Sequence, residues 1–496
     1  MSKNEKTLSE LGFASSKKFS GTLSGICSDS RFVKPRELFA ALPGKKEHGA
    51  NFIPQAVDLG AAAVLTDQMG LEIARTLNTH QKVAFLISEK PRAALATAAA
   101  SWFEKQPQNI VAVTGTNGKT SVASFCRQIW SGLGFKAVNL GTTGVEGAVS
   151  ATLENTTPDP ITLHRVLSEC YQNGVTHVAM EASSHGLEQF RLDAVKLCAA
   201  GFTNFTHDHL DYHTSFEQYF ESKAGLFNRV LSWDGVSVLD LDNQRIAALF
   251  RKLTDSGRPT FSVGWNRASN LRLVSQKYDV IGQTLRFSYQ GKTIQSFLPL
   301  IGNFQGKNAI MAAALCIASG CDAQHVFGIL KELKTVRGRM QHAATRTNGA
   351  TIFVDYAHTP DALETALNAF RPHVLGRLIT IIGAGGDRDP KKRPMMGAVA
   401  VNTADYVIVT DDNPRSEEPE AIRRMVLDGA KGNTNIIECS DRAEAILRGV
   451  DMLEAGDSLL ITGKGHETTQ IIGEDILPFD DVEQASISVV ALDGVI

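Results

Sequence analysis

The sequence is poor in cysteine and tryptophan and has no excess of charge of either sign. Its 496 residues include seven cysteines, none of them spaced as a CxxC pair, and four tryptophans. An odd number of scattered thiols excludes a disulfide framework and a zinc site of the usual spacing, so we expect reduced cysteines. With 50 basic against 53 acidic side chains and no long basic run, the chain offers no electrostatic basis for binding nucleic acid.

Long apolar runs are also lacking. No run reaches membrane-spanning length, and the first residues lead into no apolar segment of the kind found in secretory signals. We therefore expect a cytoplasmic protein that inserts into no membrane. Repeats, low-complexity tracts and the Asn-Lys-x-Asp motif of switch GTPases are absent from the sequence as well. Since 43% hydrophobic and 21% charged residues are typical of globular chains, this length predicts two to four domains.

A strand, a tight loop and a helix are predicted around residues 109–133. An apolar run leads into TGTNGKTS at residues 114–121, and the apolar positions that follow recur at helical spacing. Glycines let backbone N–H groups approach phosphate oxygens, while the helix N-terminus, a lysine and a hydroxyl supply positive charge and a magnesium ligand. Val113 replaces the first glycine of the general P-loop pattern. A packing turn is the alternative, but the combination favours a nucleotide-binding loop.

Alternating apolar runs and helical patterns predict an α/β protein with three domains. The first, residues 1–106, is a small α/β domain that ends beside a proline. The second, residues 107–336, holds the loop in a mostly parallel sheet. The third, residues 337–496, has four apolar strands near 351–354, 378–382, 406–409 and 458–461. They predict a doubly wound sheet whose ligands lie at the carboxyl ends of its strands.

A carboxylate is predicted at the end of a strand beside the loop. Residues 175–180 form an apolar run that ends at Glu181, the position of a magnesium-facing acid in such domains. A second apolar run, residues 199–205, leads into the histidine-rich segment 206–213. Together with the polar edge of the third domain, these features predict ATP-driven ligation. Phosphoryl transfer to a carboxylate gives an acyl phosphate, which an amine then attacks.

Five motifs in this order resemble those of the Mur ligases of peptidoglycan precursor synthesis, over nearly the whole chain. They are TGTNGKT at 114–120, EASSHG at 181–186, DHLDYH at 208–213, DYAHTPD at 355–361 and DNPR at 412–415. The resemblance implies a UDP-substrate-binding domain, a P-loop ATPase domain and a Rossmann-like C-terminal domain. It implies ATP as co-substrate and Mg²⁺ as the metal. We also expect a monomer. It is strongest to members that add meso-2,6-diaminopimelate to UDP-N-acetylmuramoyl-L-alanyl-D-glutamate.

The resemblance also implies roles for residues around ATP. The predicted ATP-binding residues are Gly115, Thr116, Asn117, Gly118, Lys119, Thr120, Ser121, Asn303, Arg339 and His358. The predicted catalytic residues are Lys119, Lys223, Glu181 and His209, and the predicted metal-facing groups are Thr120, Glu181, His209 and Lys223 as a carbamate. An ordinary surface lysine on an amphipathic helix is the alternative for Lys223.

For the UDP-muramoyl dipeptide, the resemblance implies contacts from the first two domains. The predicted residues are Ser28, Ser30, Asn155, Thr156, Thr157, Ser183, Gln189 and Arg191. Arg191 would pair a carboxylate or phosphate in a fork that lysine cannot reproduce. Turn capping is the alternative for the hydroxyl and amide side chains. Residues 45–47 occupy a substrate-contacting loop of the family and receive no role.

Diaminopimelate is assigned to the third domain. The predicted contacts are Arg388, Asp412, Asn413, Pro414, Arg415, Gly463 and Glu467. Diaminopimelate has a second carboxylate that lysine lacks, and Arg415 would clamp it. A helix-entry turn, with residues 416–419 as the first helical turn, is the structural alternative for the DNPR segment. The competing functions are a lysine-adding relative, a folylpolyglutamate synthetase and a non-catalytic nucleotide-binding module.

Overall fold

The computed structural model describes residues 5–14, 19–44, 47–206 and 215–494. The chain divides into two compact units, residues 1–272 with 310–327 and residues 273–309 with 328–496. All seven cysteines are free thiols, as expected. No helix in the described part of the chain is long and apolar enough to cross a membrane.

The first sheet is a small parallel α/β layer. Its strands lie in sequential order, and all neighbouring pairs are parallel. Prolines at the first turns of α1 (Ile53–Asp58) and α3 (Pro91–Phe103) suit positions whose N–H has no partner within a helix. The elements are β1 (Gly25–Cys27), β2 (Glu37–Ala40), α1 (Ile53–Asp58), β3 (Ala63–Thr66), α2 (Gln68–Thr76), β4 (Ala84–Ile87) and α3 (Pro91–Phe103).

The second sheet is built around the strand that precedes the phosphate loop. Its elements are β5 (Asn109–Thr114), α4 (Lys119–Gly132), β6 (Ala137–Gly141), β7 (Gly144–Gly147), α5 (Pro160–Gln172), β8 (His177–Glu181), α6 (Ser184–Glu188), β9 (Ala199–Phe202), α7 (Phe216–Gly225), β10 (Val236–Asp240), α8 (Gln244–Asp255), β11 (Thr260–Gly264) and β12 (Leu271–Asp279). Strands β11, β10, β9, β5, β8, β6 and β7 neighbour one another in this order. Only the β6–β7 pair among them is antiparallel, so the sheet is mostly parallel, as predicted.

The register of this sheet brings the phosphate loop close to the predicted carboxylate. Val113 of β5 lies opposite Glu181 of β8, and Thr114 lies opposite Phe202 of β9. Since parallel strands end at the same edge, the loops after β5, β8 and β9 leave the sheet together. The strand predicted at 175–180 is β8, which begins two residues later, at His177, and has Glu181 as its last residue.

The second unit contains a β-hairpin and the third sheet. Its elements are β13 (Gly282–Tyr289), β14 (Lys292–Leu298), α9 (Asn303–Ala318), α10 (Ala323–Ile329), β15 (Gln341–Thr345), β16 (Thr351–Asp355), α11 (Pro360–Phe370), β17 (Leu378–Ile382), α12 (Lys392–Thr403), β18 (Tyr406–Val409), α13 (Pro419–Asp428), β19 (Ile436–Glu438), α14 (Arg442–Asp451), β20 (Ser458–Thr462), β21 (Thr469–Ile472), β22 (Asp475–Pro478) and α15 (Asp481–Asp493), of which α9 and α10 extend beyond this unit. The third sheet has the order β15-β16-β20-β17-β18-β19, with only β15 antiparallel. The four predicted strands are β16, β17, β18 and β20, and the loops after them share one edge.

Two histidines are buried in the second domain and have no acidic side chain as hydrogen-bond partner. His164 Nε2 lies 3.2 Å from the carbonyl oxygen of Asp193, and His177 Nε2 lies 3.1 Å from the amide nitrogen of Asn109. Burial lowers the pKa of each imidazole from 6.5 to about 4. These rings therefore stay neutral in the folded protein at pH values at which the unfolded chain protonates them.

We expect the stability of this domain to fall between pH 7 and pH 5. The unfolded chain binds more protons in this window, so the free energy of unfolding decreases as the pH falls, by about 2 kcal/mol at pH 5 for His164 alone. Thermal unfolding of a His164→Gln variant should show a weaker pH dependence than that of the parent protein. A His325→Gln variant, which changes an exposed ring, is the control. The same pH dependence in both variants would contradict the assignment.

Candidate active site

The phosphate loop folds as a turn that only glycine can form. Gly115 has φ +146°, and Gly118, which precedes α4, has φ +86°. A Cβ atom on Gly115 would lie 1.9 Å from Thr203 Oγ1, so the loop also packs too closely for a side chain. Lys119 Nζ donates to the carbonyl oxygens of Gly115 (3.0 Å) and Thr116 (2.8 Å). The lysine thus folds back over the loop, and its contact with phosphate stays a prediction.

Asn204, which we did not predict, holds this loop in shape. Its Oδ1 accepts from the N–H of Asn117 (2.9 Å), and its Nδ2 donates to the carbonyl of the same residue (3.0 Å). Its own carbonyl accepts from the N–H of Thr116 (3.0 Å). Two of the loop N–H groups that we assigned to phosphate are therefore bonded to Asn204. Because the first N–H groups of an α-helix have no partner within the helix, the start of α4 is the part of this segment at which we expect an anion to bind.

Replacing Gly115 by alanine should abolish nucleotide binding. The added methyl group would overlap Thr203, and the φ of +146° is strained for alanine. We expect the Kd for a non-hydrolysable ATP analogue to rise by about 100-fold or more, since even a small displacement of the loop breaks several phosphate contacts. Titration calorimetry measures it. The control is Gly134→Ala, which also has positive φ but no atom within 4 Å of the added group. Equal affinities in the two variants would contradict this role of Gly115.

Glu181 is a buried carboxylate at the end of β8 and is only 2% exposed. Its Oε1 accepts from the N–H of Thr142 (2.8 Å), and Thr142 Oγ1 lies 3.4 Å from its Oε2. A Cβ atom on Gly141 would lie 2.0 Å from Oε1, so the end of β6 is glycine where the carboxylate passes it. These contacts fix the direction of the carboxylate at the edge where the phosphate loop begins.

Lys223 lies at the phosphate loop and is 1% exposed. Its Nζ donates to the carbonyl of Gly115 (2.8 Å), which also accepts from Lys119, and lies 4.5 Å from the centre of the Tyr219 ring. The alternative of an ordinary surface lysine is therefore wrong. An ammonium group cannot ligate a metal, so a metal role requires the carbamate, which stays a prediction.

His209 and the rest of the 208–213 motif lie outside the described residues. Within the described ranges, no three or more His, Cys, Asp or Glu side chains cluster as a metal site. The predicted metal set depends on Thr120, Lys223 and the undescribed His209 besides Glu181, and it stays a prediction.

Four of the eight residues assigned to the UDP-muramoyl dipeptide, Thr157, Ser183, Gln189 and Arg191, are joined by hydrogen bonds beside Glu181. Thr157 Oγ1 donates to the carbonyl of Glu181 (3.0 Å) and accepts from the N–H and hydroxyl of Ser183 (3.0 Å each). Arg191 donates to the carbonyl of Thr157 (2.6 Å) and to Gln189 Oε1 (2.9 Å). Ser183 also accepts from the N–H of Gly186 and so caps α6, as the alternative assumed. Capping and ligand contact are compatible, since the hydroxyl lies at the strand edge.

The other four residues assigned to the dipeptide have fewer or no hydrogen bonds to the group beside Glu181. Thr156 Oγ1 lies 3.1 Å from Thr142 Oγ1, which joins it to Glu181, and Asn155 is exposed beside it. Ser28 and Ser30 follow β1 in the first domain. Ser28 is exposed, whereas Ser30 is 7% exposed and donates to Gln55 Oε1 (2.8 Å). The structure does not bring these two serines together with the Thr157 group, and their uridine contacts stay a prediction.

In the second unit, the DNPR segment lies at the carboxyl edge of the third sheet. Asn413 is buried, and its Nδ2 donates to Glu467 Oε2 (2.8 Å). Its Oδ1 accepts from Lys464 Nζ and from the N–H of Ile471, both at 3.0 Å. Asp412 is buried next to Gly463, where an added Cβ would lie 2.3 Å from Asp412 Oδ2. The predicted acceptor-binding residues 412, 413, 463 and 467 are therefore brought together.

Arg415 adopts a left-handed conformation, with φ +51°, that is rare for a side-chain-bearing residue. Its N–H donates to the carbonyl of Ile471 (3.0 Å), and its carbonyl accepts from the N–H of Gly473 (2.8 Å). The β21–β22 hairpin thus holds the turn. Helix α13 begins only at Pro419, so the alternative with residues 416–419 as a first helical turn is wrong. The bonds to Ile471 and Gly473 hold Arg415 in a non-helical conformation.

A glycine pair after β17 supports the same turn from the other side. The guanidinium of Arg415 donates to the carbonyl of Gly386 (2.8 Å). A Cβ atom on Gly386 would lie 1.8 Å from the carbonyl oxygen of Pro414, and one on Gly385 would lie 2.9 Å from the Arg415 guanidinium. Arg388 is exposed two residues further on, and its guanidinium donates to the carbonyl of Asp387 (3.1 Å). Arg388 and Arg415 thus belong to one edge.

Tyr356 links two of the residues assigned to ATP. The Arg339 guanidinium lies 4.9 Å from the centre of its ring, and the His358 ring packs against it edge-on at 4.6 Å. Asp355 accepts from the N–H of Met340 (2.8 Å), and burial raises the pKa of its carboxyl. Asn303 is exposed at the start of α9, where its carbonyl accepts from a glutamine side chain. Its role in ATP binding stays a prediction, as do those of Arg339 and His358.

Family models match most of the chain. The Mur ligase middle domain matches residues 113–316, the Mur ligase glutamate ligase domain residues 338–465, and the Mur ligase family catalytic domain residues 22–102. The three-domain α/β architecture with mostly parallel sheets is thereby confirmed. The bounds that we predicted for the three domains stay a prediction.

Curated relatives are similar over nearly their whole length. Proteins of Bradyrhizobium diazoefficiens and Caulobacter vibrioides named UDP-N-acetylmuramoyl-L-alanyl-D-glutamate–2,6-diaminopimelate ligase are 47% and 45% identical to this chain. The matches cover 93% of both chains in the first case, and 95% of this chain and 96% of the relative in the second.

Solved structures agree with these relatives. A structure of a ligase of the same name is 30% identical, with a TM-score of 0.75, and covers 98% of this chain and 99% of its own. A folylpolyglutamate synthase of Mycobacterium tuberculosis, 18% identical with a TM-score of 0.59, covers 82% of this chain and 95% of its own and shares the fold alone. The resemblance of the five motifs is confirmed by these matches, and the chain belongs to the Mur ligase family.

Proposed function

We propose that the chain is an ATP-dependent amide ligase that adds meso-2,6-diaminopimelate to UDP-N-acetylmuramoyl-L-alanyl-D-glutamate, with ADP and phosphate as the other products. The observation that carries this proposal is Arg415, held left-handed at the sheet edge where the Asn413–Glu467 pair also lies. A guanidinium and a carboxylate at one edge suit a ligand that bears both a carboxylate and an ammonium group. The names of the curated relatives support the same substrates.

The first chemical step is assigned to the edge of the second sheet. The carboxylate of the dipeptide attacks the γ-phosphorus of ATP, the bond to the β,γ-bridging oxygen breaks, and ADP leaves. Lys119 and the first N–H groups of α4 offset the negative charge that spreads over the transferred phosphoryl group. Arg191 is held by its bonds to Thr157 and Gln189. It orients the attacking carboxylate of the dipeptide by a two-pronged ion pair.

Magnesium fits the residues present. Glu181 supplies a buried carboxylate with a fixed direction, and Thr120 supplies a hydroxyl in the first turn of α4. Oxygen ligands of this kind are those that Mg²⁺ prefers, and His209 and a carbamylated Lys223 would complete the predicted set. When bound, the ion neutralises charge on the phosphate oxygens.

The second step forms the amide. The free amine of diaminopimelate attacks the acyl carbon, phosphate leaves from that carbon, and the nitrogen loses a proton to solvent. Arg415 and Arg388 are assigned to the distal carboxylate, and Glu467 to the distal ammonium group. In this proposal the enzyme works in the cytoplasm as a monomer on small-molecule substrates.

The test is ligation of the UDP-muramoyl dipeptide with either meso-diaminopimelate or L-lysine, followed by phosphate release and product mass. We expect the tripeptide product with diaminopimelate, with a kcat/KM about 1,000-fold or more above that for lysine. Phosphate release without an amine should be slow, which separates a ligase from a simple nucleotidase. A preference for lysine would overturn the assigned substrate. No product with either amine, together with product from a folate and glutamate, would overturn the proposed function.

A further inference from the structure

Lys464, which follows β20, is a lysine with 0% of its surface exposed. Its ammonium donates to Asn413 Oδ1 (3.0 Å) and to the carbonyl of Thr469, and it lies 3.6 Å from Glu467 Oε2. Because the side chain is fully buried, a substrate cannot reach its ammonium group. Two of its neighbours, Asn413 and Glu467, lie at the carboxyl edge of the third sheet to which we assign diaminopimelate, here called the acceptor edge. The third, Thr469, begins the β21–β22 hairpin that supports this edge.

The ammonium of Lys464 determines which way the Asn413 amide points. Asn413 Oδ1 accepts from two donors, Lys464 Nζ and the N–H of Ile471, so its Nδ2 must point the opposite way, toward Glu467. Glu467 Oε2 is then held by Nδ2 at 2.8 Å. One carboxylate oxygen is thus fixed by the protein, and the direction of the other follows from the planar geometry of the group.

The same side chain also acts on Arg415 through the backbone. Lys464 bonds the carbonyl of Thr469, the first residue of β21, and β21 bonds the N–H of Arg415 through Ile471. The strained φ of Arg415 is stable only while these surrounding bonds persist. Lys464 therefore touches both halves of the edge, the Glu467 carboxylate and the strand that holds the Arg415 turn.

A buried ammonium group destabilises the folded protein unless hydrogen bonds and opposite charges compensate for its lost hydration. Removing a cation from water is energetically unfavourable, and an apolar side chain of similar volume fills such a site at least as well. Burial lowers the pKa of Lys464, while the carboxylates of Asp412 and Glu467 oppose this change and Arg442 reinforces it. We therefore attribute the lysine at this position to the hydrogen bonds that its ammonium group donates to Asn413 and Thr469, and not to a contribution to fold stability.

We propose that Lys464 is a positioning residue for the amino-acid acceptor, which sets the directions of the Asn413 amide and the Glu467 carboxylate and fixes the strand behind Arg415. The inference rests on the proposed function, since it concerns how that site takes a ligand with an ammonium and a carboxylate. Lys464 itself touches no substrate. Its loss should weaken acceptor binding selectively and leave the ATP step intact.

The test compares Lys464→Met with Arg346→Met in the full-length enzyme. Methionine keeps the volume of Lys464 and removes its three donors. Arg346 is a mostly buried cation too, paired with Asp493 at 2.7 Å, but it follows β15 and lies near the amino end of β16, opposite the acceptor edge. The KM values for diaminopimelate, ATP and the dipeptide are measured for each variant, with the thermal midpoint as a check on folding.

We expect Lys464→Met to raise the KM for diaminopimelate by about 10- to 100-fold, the effect of losing a hydrogen bond to a charged group. The KM values for ATP and the dipeptide should stay within about threefold, and Arg346→Met should lower only the thermal midpoint. An unchanged KM for diaminopimelate, or an equal rise for all three substrates, would overturn the proposal. If Lys464→Met does not fold, Lys464→Gln is measured in the same way and decides by the same outcomes.

The parent enzyme distinguishes this inference from the function on which it rests. Parent enzyme that makes no product with diaminopimelate overturns the proposed function and, with it, the role of Lys464. Parent enzyme that ligates diaminopimelate, beside a variant with an unchanged KM, overturns the role of Lys464 alone.

Discussion

Replacing Lys119 by methionine should lower kcat for ligation by about 1,000-fold or more. The ammonium of Lys119 already lies over the phosphate loop, bonded to the carbonyls of Gly115 and Thr116. Its charge is therefore in place when the γ-phosphoryl group transfers and negative charge spreads over the phosphate oxygens. Methionine has similar length but neither charge nor donors, so the loss falls on the transition state. Steady-state phosphate release with all three substrates measures the effect.

The control for Lys119 is Lys136→Met, which removes an exposed lysine just before β6. It should leave kcat within about twofold, since exposed charges contribute little to a distant reaction. Thermal unfolding of Lys119→Met should stay close to that of the parent protein. A folded Lys119→Met enzyme with near-normal kcat would show that the phosphoryl group is transferred elsewhere in the chain.

Arg415→Lys should reduce kcat/KM for diaminopimelate by about 100-fold or more and leave the poor activity with lysine almost unchanged. Lysine retains the charge but cannot form the planar fork that pairs with a carboxylate, and it cannot hold the bond to the Gly386 carbonyl in the same geometry. The discrimination between the two amino acids should therefore shrink by the same factor. Competition between them, with the products separated by mass, measures it directly.

The matched control is Arg424→Lys on the surface of α13, where the arginine pairs with Glu420 one helical turn away. That pair is exposed on both sides, so the substitution should change neither amino-acid preference nor stability by a measurable amount. Unchanged discrimination in Arg415→Lys would place the specificity of the enzyme in another part of the edge.

The parts of the site predicted from sequence are those encoded by neighbouring residues. The phosphate loop is one continuous segment, and the position of Glu181 follows from an apolar run that ends in an acid. The structure adds the register of the two parallel strands, which places Glu181 opposite Val113. The same applies to the third sheet, whose polar segments follow four clear strands and so must share an edge.

The residues that the sequence did not reveal act across long separations. Asn204 bonds Asn117 from 87 residues away, and a single asparagine after a strand carries no local signal of that role. The predicted apolar strand at 199–205 includes Asn204, whereas β9 ends at Phe202 and leaves Asn204 in the loop beside Asn117. Lys464 lies between two glycines in a segment that is typical of an exposed loop, yet the hairpin and Asn413 bury it completely.

Local pattern and tertiary contacts conflict in the segment after Arg415. Ser416 followed by two glutamates and a proline is typical of a helix start, whereas the structure begins α13 at Pro419. Ser416 donates instead to Asp387, so the residues before the helix are tied to the neighbouring loop. Ser30 is a similar case, because the hydroxyl that we assigned to the UDP substrate donates a hydrogen bond to Gln55 within the first domain.

The glycine at position 386 has a consequence for inhibitors and for resistance to them. Any side chain there would collide with the Pro414 carbonyl, only 1.8 Å from the position of a Cβ atom, and would displace the turn that carries Arg415. We therefore expect that resistance to an inhibitor bound beside Arg415 cannot arise by substitution of Gly386, because a side chain at this buried position would displace the Arg415 turn that the enzyme itself needs.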